Sequence, residues 1–262
     1  MSTAAAPLQE PFAPSRSRDH RPSFARLTQV ELRKMVDTRA GFWLLAAVLA
    51  ITVLTVVITV VQGDAESHRF ANVLQNGVQP LSILLPIVGI LLVTSEWSQR
   101  TALITFALVP QRSRMLIAKI AASVVLTVIA LVAAIVLSAL GTALSAPGVD
   151  GTWSLGAGLL GQIALYTLTS MLIGVGFGAL LLNSAPAIVL SFVVPIAVSA
   201  VTSIINALDG VGGWIDQGRT LGDLVLHNYS GAEWARAWVT LAIWMVLPLI
   251  VGAYRFTRGE IR

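Results

Sequence analysis

Six apolar runs dominate this sequence, and each is long enough to cross a membrane. Their approximate bounds are 41–61, 78–95, 117–144, 155–182, 186–207 and 234–254. A helix needs about 20 mostly apolar residues to span the hydrocarbon core, and it satisfies its backbone polar groups internally. The chain is therefore predicted to be all-α, a polytopic membrane protein with six transmembrane helices in one bundle.

The composition agrees with this class. Of the 262 residues, 56% are hydrophobic and only 11% are charged, whereas soluble domains carry about 25% charged residues. Residues 1–25 are rich in Pro, Ser, Ala and Arg and have no apolar period, so they are predicted to be a disordered tail. Residues 26–262 are predicted to form a single transmembrane domain.

The distribution of basic residues predicts the orientation. Six spans place both termini on one side, and that side carries 14 of the 17 Lys and Arg residues. The other side carries only Arg69, Arg219 and Arg236, together with seven acidic residues. Cytoplasmic segments are enriched in Lys and Arg, so both termini are predicted to be cytoplasmic.

The segment before the first span, residues 24–43, alternates apolar and basic side chains. Its apolar residues fall near helical spacing, which is typical of an amphipathic helix lying in the membrane interface. A solvated basic linker is the alternative.

The spans also carry features that affect helix packing. The second apolar run is short, and Pro80 and Pro86 predict a kink within it. Ser170, Gly174 and Gly178 in the fourth span recur every four residues, so they favour close approach of another helix. Gln162 and Asn206 are open to two interpretations, an interhelical hydrogen bond or the lining of a pathway.

The passage SEWSQRTALITFALVPQRSRMLIAK, residues 95–119, separates the second and third spans. It cannot cross the membrane, because each basic residue near a helix centre costs roughly 2.5–3.5 kcal/mol. Its middle, ALITFALV, is too apolar for a solvated loop. A short helix from Thr101, a suitable N-cap, to Pro110 satisfies both constraints, and it is predicted to offer part of its apolar surface to a partner.

Several kinds of chemistry have no support in the sequence. No GxxxxGK[ST] phosphate-binding loop, HExxH or GxSxG motif occurs, and there are no cysteines; we therefore expect no catalytic residue, metal site or cofactor in this chain. No ionisable residue is predicted deep within a span, which disfavours an ion-driven transporter. The basic residues are distributed as expected for the cytoplasmic side of a membrane protein, so nucleic acid is not an expected partner.

The passage between the second and third spans resembles the ABC-2 type permease family. That family commonly shows a carboxylate ending the second span, then G-T, an apolar stretch, P-x-S-R and a lysine. Residues at the matching places are Glu96, Thr101, Pro110, Ser113, Arg114 and Lys119. Arg100 stands where glycine is commoner.

The resemblance implies a permease subunit of an ATP-binding cassette exporter in the cell membrane of a bacterium. Two such subunits, identical or different, pair, and each docks a separate nucleotide-binding subunit that supplies ATP and Mg²⁺ chemistry. It also implies a cytoplasmic coupling helix between the second and third spans. The residues expected to couple this chain to the ATPase are Glu96, Arg100, Thr101, Thr105, Phe106, Pro110, Arg112, Arg114 and Lys119.

Two further questions stay open at the sequence level. The alternative function is a membrane scaffold or sensor component that docks a cytoplasmic partner without moving a substrate. By resemblance, the loop at about 208–233 contributes a partly re-entrant outer gate, and the alternative is an ordinary extracytoplasmic loop. The transported substrate cannot be inferred from the sequence.

Overall fold

The computed structural model describes residues 23–98, 112–145, 150–205 and 209–258, and these residues contain nine helices. In chain order they are α1 (Phe24–Asp37), α2 (Arg39–Gln62), α3 (Phe70–Ser98), α4 (Arg112–Ser145), α5 (Ala157–Leu181), α6 (Ser184–Ile204), α7 (Asp209–Ile215), α8 (Gln217–Gly222) and α9 (Gly231–Arg258).

Six of these helices, α2 to α6 and α9, are long and apolar enough to span a membrane. The predicted all-α, six-span membrane fold is thus confirmed. Within the bundle, α3 and α5 are central, because 67% of the most apolar window of each is buried. The corresponding share is 22% in α2, α4 and α6 and 33% in α9, so these four helices form the outside.

Close packing between the two central helices depends on glycine. A Cβ atom at Gly174 of α5 would lie 2.0 Å from the carbonyl oxygen of Pro86 in α3, and one at Gly178 would lie 3.1 Å from the Cα of Ile90. The predicted small-residue stripe therefore does bring a second helix close. Its third member, Ser170, is bonded within α5, since its hydroxyl donates to the Tyr166 carbonyl at 3.0 Å.

Helix bounds differ from the predicted spans most clearly in α3. The apolar pattern predicted a short span over 78–95, whereas the helix runs from Phe70 to Ser98 and continues through Pro80 and Pro86. Its first turns are less apolar, but Val73 and Leu74 are fully buried there. Tertiary packing extends the helix beyond the segment that hydropathy alone marks.

The last span contains an irregular turn. Residues Ala242–Val246 of α9 are π-helical, immediately before Pro248. Proline has no N–H to donate to the carbonyl four residues earlier, which is that of Trp244, so regular α-helical pairing is interrupted there. The indole N–H of Trp244 donates to the Ile215 carbonyl at 2.7 Å and fastens α7 to α9.

The segment between α6 and α9 is largely helical where it is described. After α7 and α8, a 3₁₀ turn covers Asp223–Val225. Leu221 and Leu224 are buried and pack in a cluster with Ile173 and Trp244 of the bundle. This part of the chain is therefore folded against the spans, while its depth relative to a membrane stays a prediction.

Gln162 of α5 holds this segment in place. Its side-chain amide donates to the carbonyls of Leu224 at 2.9 Å and His227 at 2.7 Å, and its oxygen accepts from the Tyr229 amide at 2.9 Å. Of the two interpretations left open, the hydrogen-bonding one describes Gln162. Asn206, for which the same question was open, lies outside the described residues.

Candidate functional site

One end of the bundle, here named the terminal end, contains α1, the end of α3, the start of α4 and the end of α9. The α1 helix begins after Ser23, whose hydroxyl accepts from the Arg26 amide at 3.3 Å and caps the helix. The predicted amphipathic helix is confirmed over Phe24–Asp37, and it packs chiefly against α4. The ring of Phe256 in α9 contacts that of Trp97 in α3, with centroids 4.8 Å apart.

A buried charge cluster of four residues, Glu31, Lys34, Glu96 and Lys119, lies at this terminal end. The Lys119 ammonium is at its centre, 2.6 Å from Glu31 Oε2 and 3.2 Å from Glu96 Oε1. It also donates to the Leu92 carbonyl at 3.0 Å. Lys119 is completely buried, and Glu31 is 1% exposed.

Lys34 closes the cluster from the solvent side. Its ammonium lies 2.7 Å from Glu31 Oε1 and 2.8 Å from Glu96 Oε1, and 37% of its side chain is exposed. Burial alone would lower the Lys34 pKa, but the attraction of Glu31 and Glu96 outweighs it and raises the pKa above 10.5. Two carboxylates thus meet two ammonium groups, and the cluster has no net charge.

The helical repeat explains why a carboxylate of α1 enters the interior. Leu27, Glu31 and Met35 are spaced four residues apart, so they occupy one face, and all three are buried. An unpaired carboxylate on that face would be costly. Removing one partner of a buried pair typically costs about 3–5 kcal/mol, so the cluster fixes α1 in one register against α3 and α4.

The structure brings together two of the residues predicted for partner coupling, Glu96 and Lys119, and buries both. Arg112 and Arg114 lie in the first turn of α4 and are partly buried. The remaining predicted residues lie outside the described residues: Arg100, Thr101, Thr105, Phe106 and Pro110. The predicted coupling helix therefore stays a prediction.

Sequence reasoning missed Glu31 and Lys34 as members of the site. A signal was available, because Glu31 interrupts the apolar face of α1 between Leu27 and Met35, and Lys34 follows it by one helical turn. A lone acid on the apolar side of an amphipathic helix indicates a buried basic partner. Identifying that partner as Lys119, 88 residues away, requires the tertiary structure.

The described residues offer little for acid–base or metal chemistry. They contain no group of three or more His, Asp or Glu side chains that could hold a metal ion. His68 lies 3.0 Å from the Val60 carbonyl, and His227 lies 2.9 Å from Glu233, so they are in separate places. The charge cluster ties together one end of each of α1, α3 and α4.

The fold and this cluster define a class of protein, a six-span helical membrane protein whose terminal end is held together by buried ion pairs. No protein-family model matches the chain, and no curated protein is significantly similar to it.

Proposed function

We propose that the chain is the permease subunit of an ABC-2 type ATP-binding cassette exporter. The observation that carries the proposal is the buried charge cluster. It joins α1 to the end of α3 and the start of α4, the two helices that flank residues 99–111. The resemblance of Glu96, Thr101, Pro110, Ser113, Arg114 and Lys119 to the family motif assigns the coupling role to this passage.

In the proposed arrangement both termini are cytoplasmic and the protein lies in the cell membrane of a bacterium. The excess of Lys and Arg at the terminal end supports this orientation. A separate nucleotide-binding subunit contacts residues 99–111 and supplies ATP binding and hydrolysis with Mg²⁺. This division of labour agrees with the lack of a phosphate-binding loop in the chain.

The proposed mechanism is rigid-body movement driven from the terminal end. When the ATPase subunits close, they displace the 99–111 passage. Glu96 and Lys119 pass the displacement to α3 and α4, and Glu31 passes it to α1, because the buried ion pairs resist separation. Paired permease subunits, homodimeric or heterodimeric, then alternate the access of a pathway between them.

The test is purification of the tagged chain from its native membranes, followed by identification of the bound proteins. We expect a subunit with a GxxxxGK[ST] loop that hydrolyses Mg·ATP. Phe106→Ala and Arg100→Glu should release it, whereas Trp153→Ala, an exposed change near the opposite end, should not. Absence of such a subunit, or equal retention by all three variants, would contradict the proposal.

Flux separates transport from the alternative of a docking scaffold. The complex is reconstituted in proteoliposomes, and ATP-dependent uptake of fluorescent amphipathic compounds is followed. An exporter moves at least one such compound against its gradient, and the movement stops with a non-hydrolysable ATP analogue. A complex that binds and hydrolyses ATP yet moves none of them supports the scaffold.

A further inference from the structure

A second region of interest is a cavity of about 230 Å³ between α3, α5, α6 and α8, lined by middle turns of α3 and separate from the charge cluster. Its apolar wall includes Ile173, Phe192 and Ile196. Two prolines within the spanning helices, Pro86 and Pro195, also line it. The size suits one functional group with a short apolar part rather than a whole lipid, since drug-sized pockets measure about 300–1,000 Å³.

The two prolines remove the regular α-helical donor from two backbone carbonyls of residues that line this cavity. A proline cannot donate to the carbonyl four residues earlier. For Pro86 that carbonyl belongs to Ser82, and for Pro195 it belongs to Ser191. Both serines line the cavity. In a membrane protein, carbonyls freed by proline need another donor, and one source is a molecule in the cavity.

The serine hydroxyls at the cavity do not offer their protons to a ligand. The Ser82 hydroxyl donates to the Gln79 carbonyl at 2.7 Å, and the Ser191 hydroxyl donates to the Ile188 carbonyl at 2.9 Å. The oxygen lone pairs of both hydroxyls can accept hydrogen bonds, and the Ser82 hydroxyl already shares one with Tyr166 of α5. The polar part of the wall is therefore rich in acceptors.

Two further residues add to this acceptor character. The side-chain oxygen of Gln217 is buried without a hydrogen-bond partner among the described residues. The Ser199 hydroxyl donates to Asp216 Oδ1 at 2.5 Å, and this carboxylate is only 6% exposed. A negative charge thus lies one hydrogen bond behind the cavity wall.

From this arrangement we infer that the cavity binds the protonated amine of an amphipathic compound. The ammonium donates to the carbonyls of Ser82 and Ser191 and to the side-chain oxygen of Gln217, while the apolar part of the compound contacts Ile173 and Phe192. The Phe192 ring also attracts a cation placed over its face. The Asp216 carboxylate, one hydrogen bond behind the wall, disfavours an anionic headgroup at this position.

This inference rests on the proposed function only in treating the amine as cargo, since binding itself needs no ATPase. The test uses the purified chain in nanodiscs of zwitterionic lipid, titrated with the fluorescent primary amine dansylcadaverine. Its N-acetylated derivative has the same apolar body without the charge. We expect the amine to bind with a Kd about tenfold lower than the neutral derivative. Equal affinity would overturn the inference.

Variants at Gln217 locate the binding. Gln217→Leu removes an acceptor and should raise the Kd of the amine about tenfold. Gln217→Glu adds a negative charge and should lower the Kd, a change that a folding defect cannot produce. The matched control is Ser203→Ala on α6, where an exposed hydroxyl donates to the Ala200 carbonyl at 3.0 Å. If Gln217→Glu fails to tighten binding, the inference is wrong.

The result can be separated from the test of the proposed function. Amine binding that responds to Gln217 without any associated ATPase keeps the cavity assignment and removes the exporter proposal. If an ATPase copurifies but the chain binds the two probes equally, the exporter proposal is kept and the cavity assignment is wrong.

Discussion

At the residue scale, Lys119 determines how the terminal end holds together. Its ammonium is fully buried and bonds to two carboxylates and a backbone carbonyl. Without it, Glu31, Lys34 and Glu96 would bring together two carboxylates and one ammonium group. The stability of this end therefore depends on matching charges, and removal of one charge costs more than removal of an opposite pair.

We expect Lys119→Met to lower the free energy of unfolding by about 3–5 kcal/mol. The double variant Glu31→Gln/Lys119→Met leaves the Lys34–Glu96 pair neutral, so it should recover part of that loss. Thermal unfolding in detergent measures both. Arg69→Met is the control, because the Arg69–Glu66 pair is exposed, at 3.8 Å, and such pairs contribute about 0–1 kcal/mol. A double variant less stable than Lys119→Met would contradict the account.

Lys34 gives a pH dependence with a defined sign. Its pKa is raised above 10.5 in the folded state, because Glu31 and Glu96 outweigh the effect of burial. A raised pKa gives stability that is fully present below the unfolded pKa and is lost as pH rises through the folded one. The Tm difference between wild type and Lys34→Met should stay constant from about pH 6 to 9 and shrink above about 10.5. A difference that already disappears by pH 8 would contradict this.

At the element scale, the contact between α3 and α5 sets the core of the bundle. The four-residue spacing of small side chains in α5 was enough to predict a close helix contact. It could not identify α3 as the partner, because nothing in the sequence pairs Gly174 with Pro86. The same limit applies to Gln162, whose partners at Leu224, His227 and Tyr229 lie more than 60 residues away.

Two glycines of α5 provide a matched pair of substitutions. Gly174→Ala places a methyl group against the Pro86 carbonyl and should destabilise the bundle by about 1–3 kcal/mol. Gly161→Ala meets nothing within 4 Å and should be neutral or stabilise the helix by up to about 1 kcal/mol. Thermal unfolding of both variants tests this, and equal effects would show that α3 and α5 are not in close contact.

At the scale of the whole molecule, the apolar runs predicted the number of spans, and the described structure confirms them. Hydropathy succeeds because a bilayer demands about 20 apolar residues per crossing. It missed the ends of α3 and the folding of α7 and α8 against the bundle, because those depend on tertiary contacts. Within the charge cluster, Glu96 and Lys119 were predicted as coupling residues from the motif, whereas the positions of Glu31 and Lys34 required the packing of α1.

The proposed orientation can be tested by labelling, because the chain has no cysteine. Glu66→Cys and Ser154→Cys replace exposed residues at one end, and Gln29→Cys replaces an exposed residue on α1. In intact cells, a membrane-impermeant maleimide should label the first two, and it should label Gln29→Cys only after permeabilisation. The opposite pattern would place the termini outside.

The coupling of ATP hydrolysis to movement tests the central claim most directly. The complex with the proposed ATPase subunit is reconstituted in proteoliposomes, and the amount of compound moved per ATP hydrolysed is measured for wild type and Glu31→Gln/Lys119→Met. If the buried charge cluster links the ATPase to the spans, the variant retains hydrolysis but moves at least about tenfold less compound per ATP, because the ion pairs that carry the displacement are lost. An unchanged ratio in a folded, assembled variant would contradict the account.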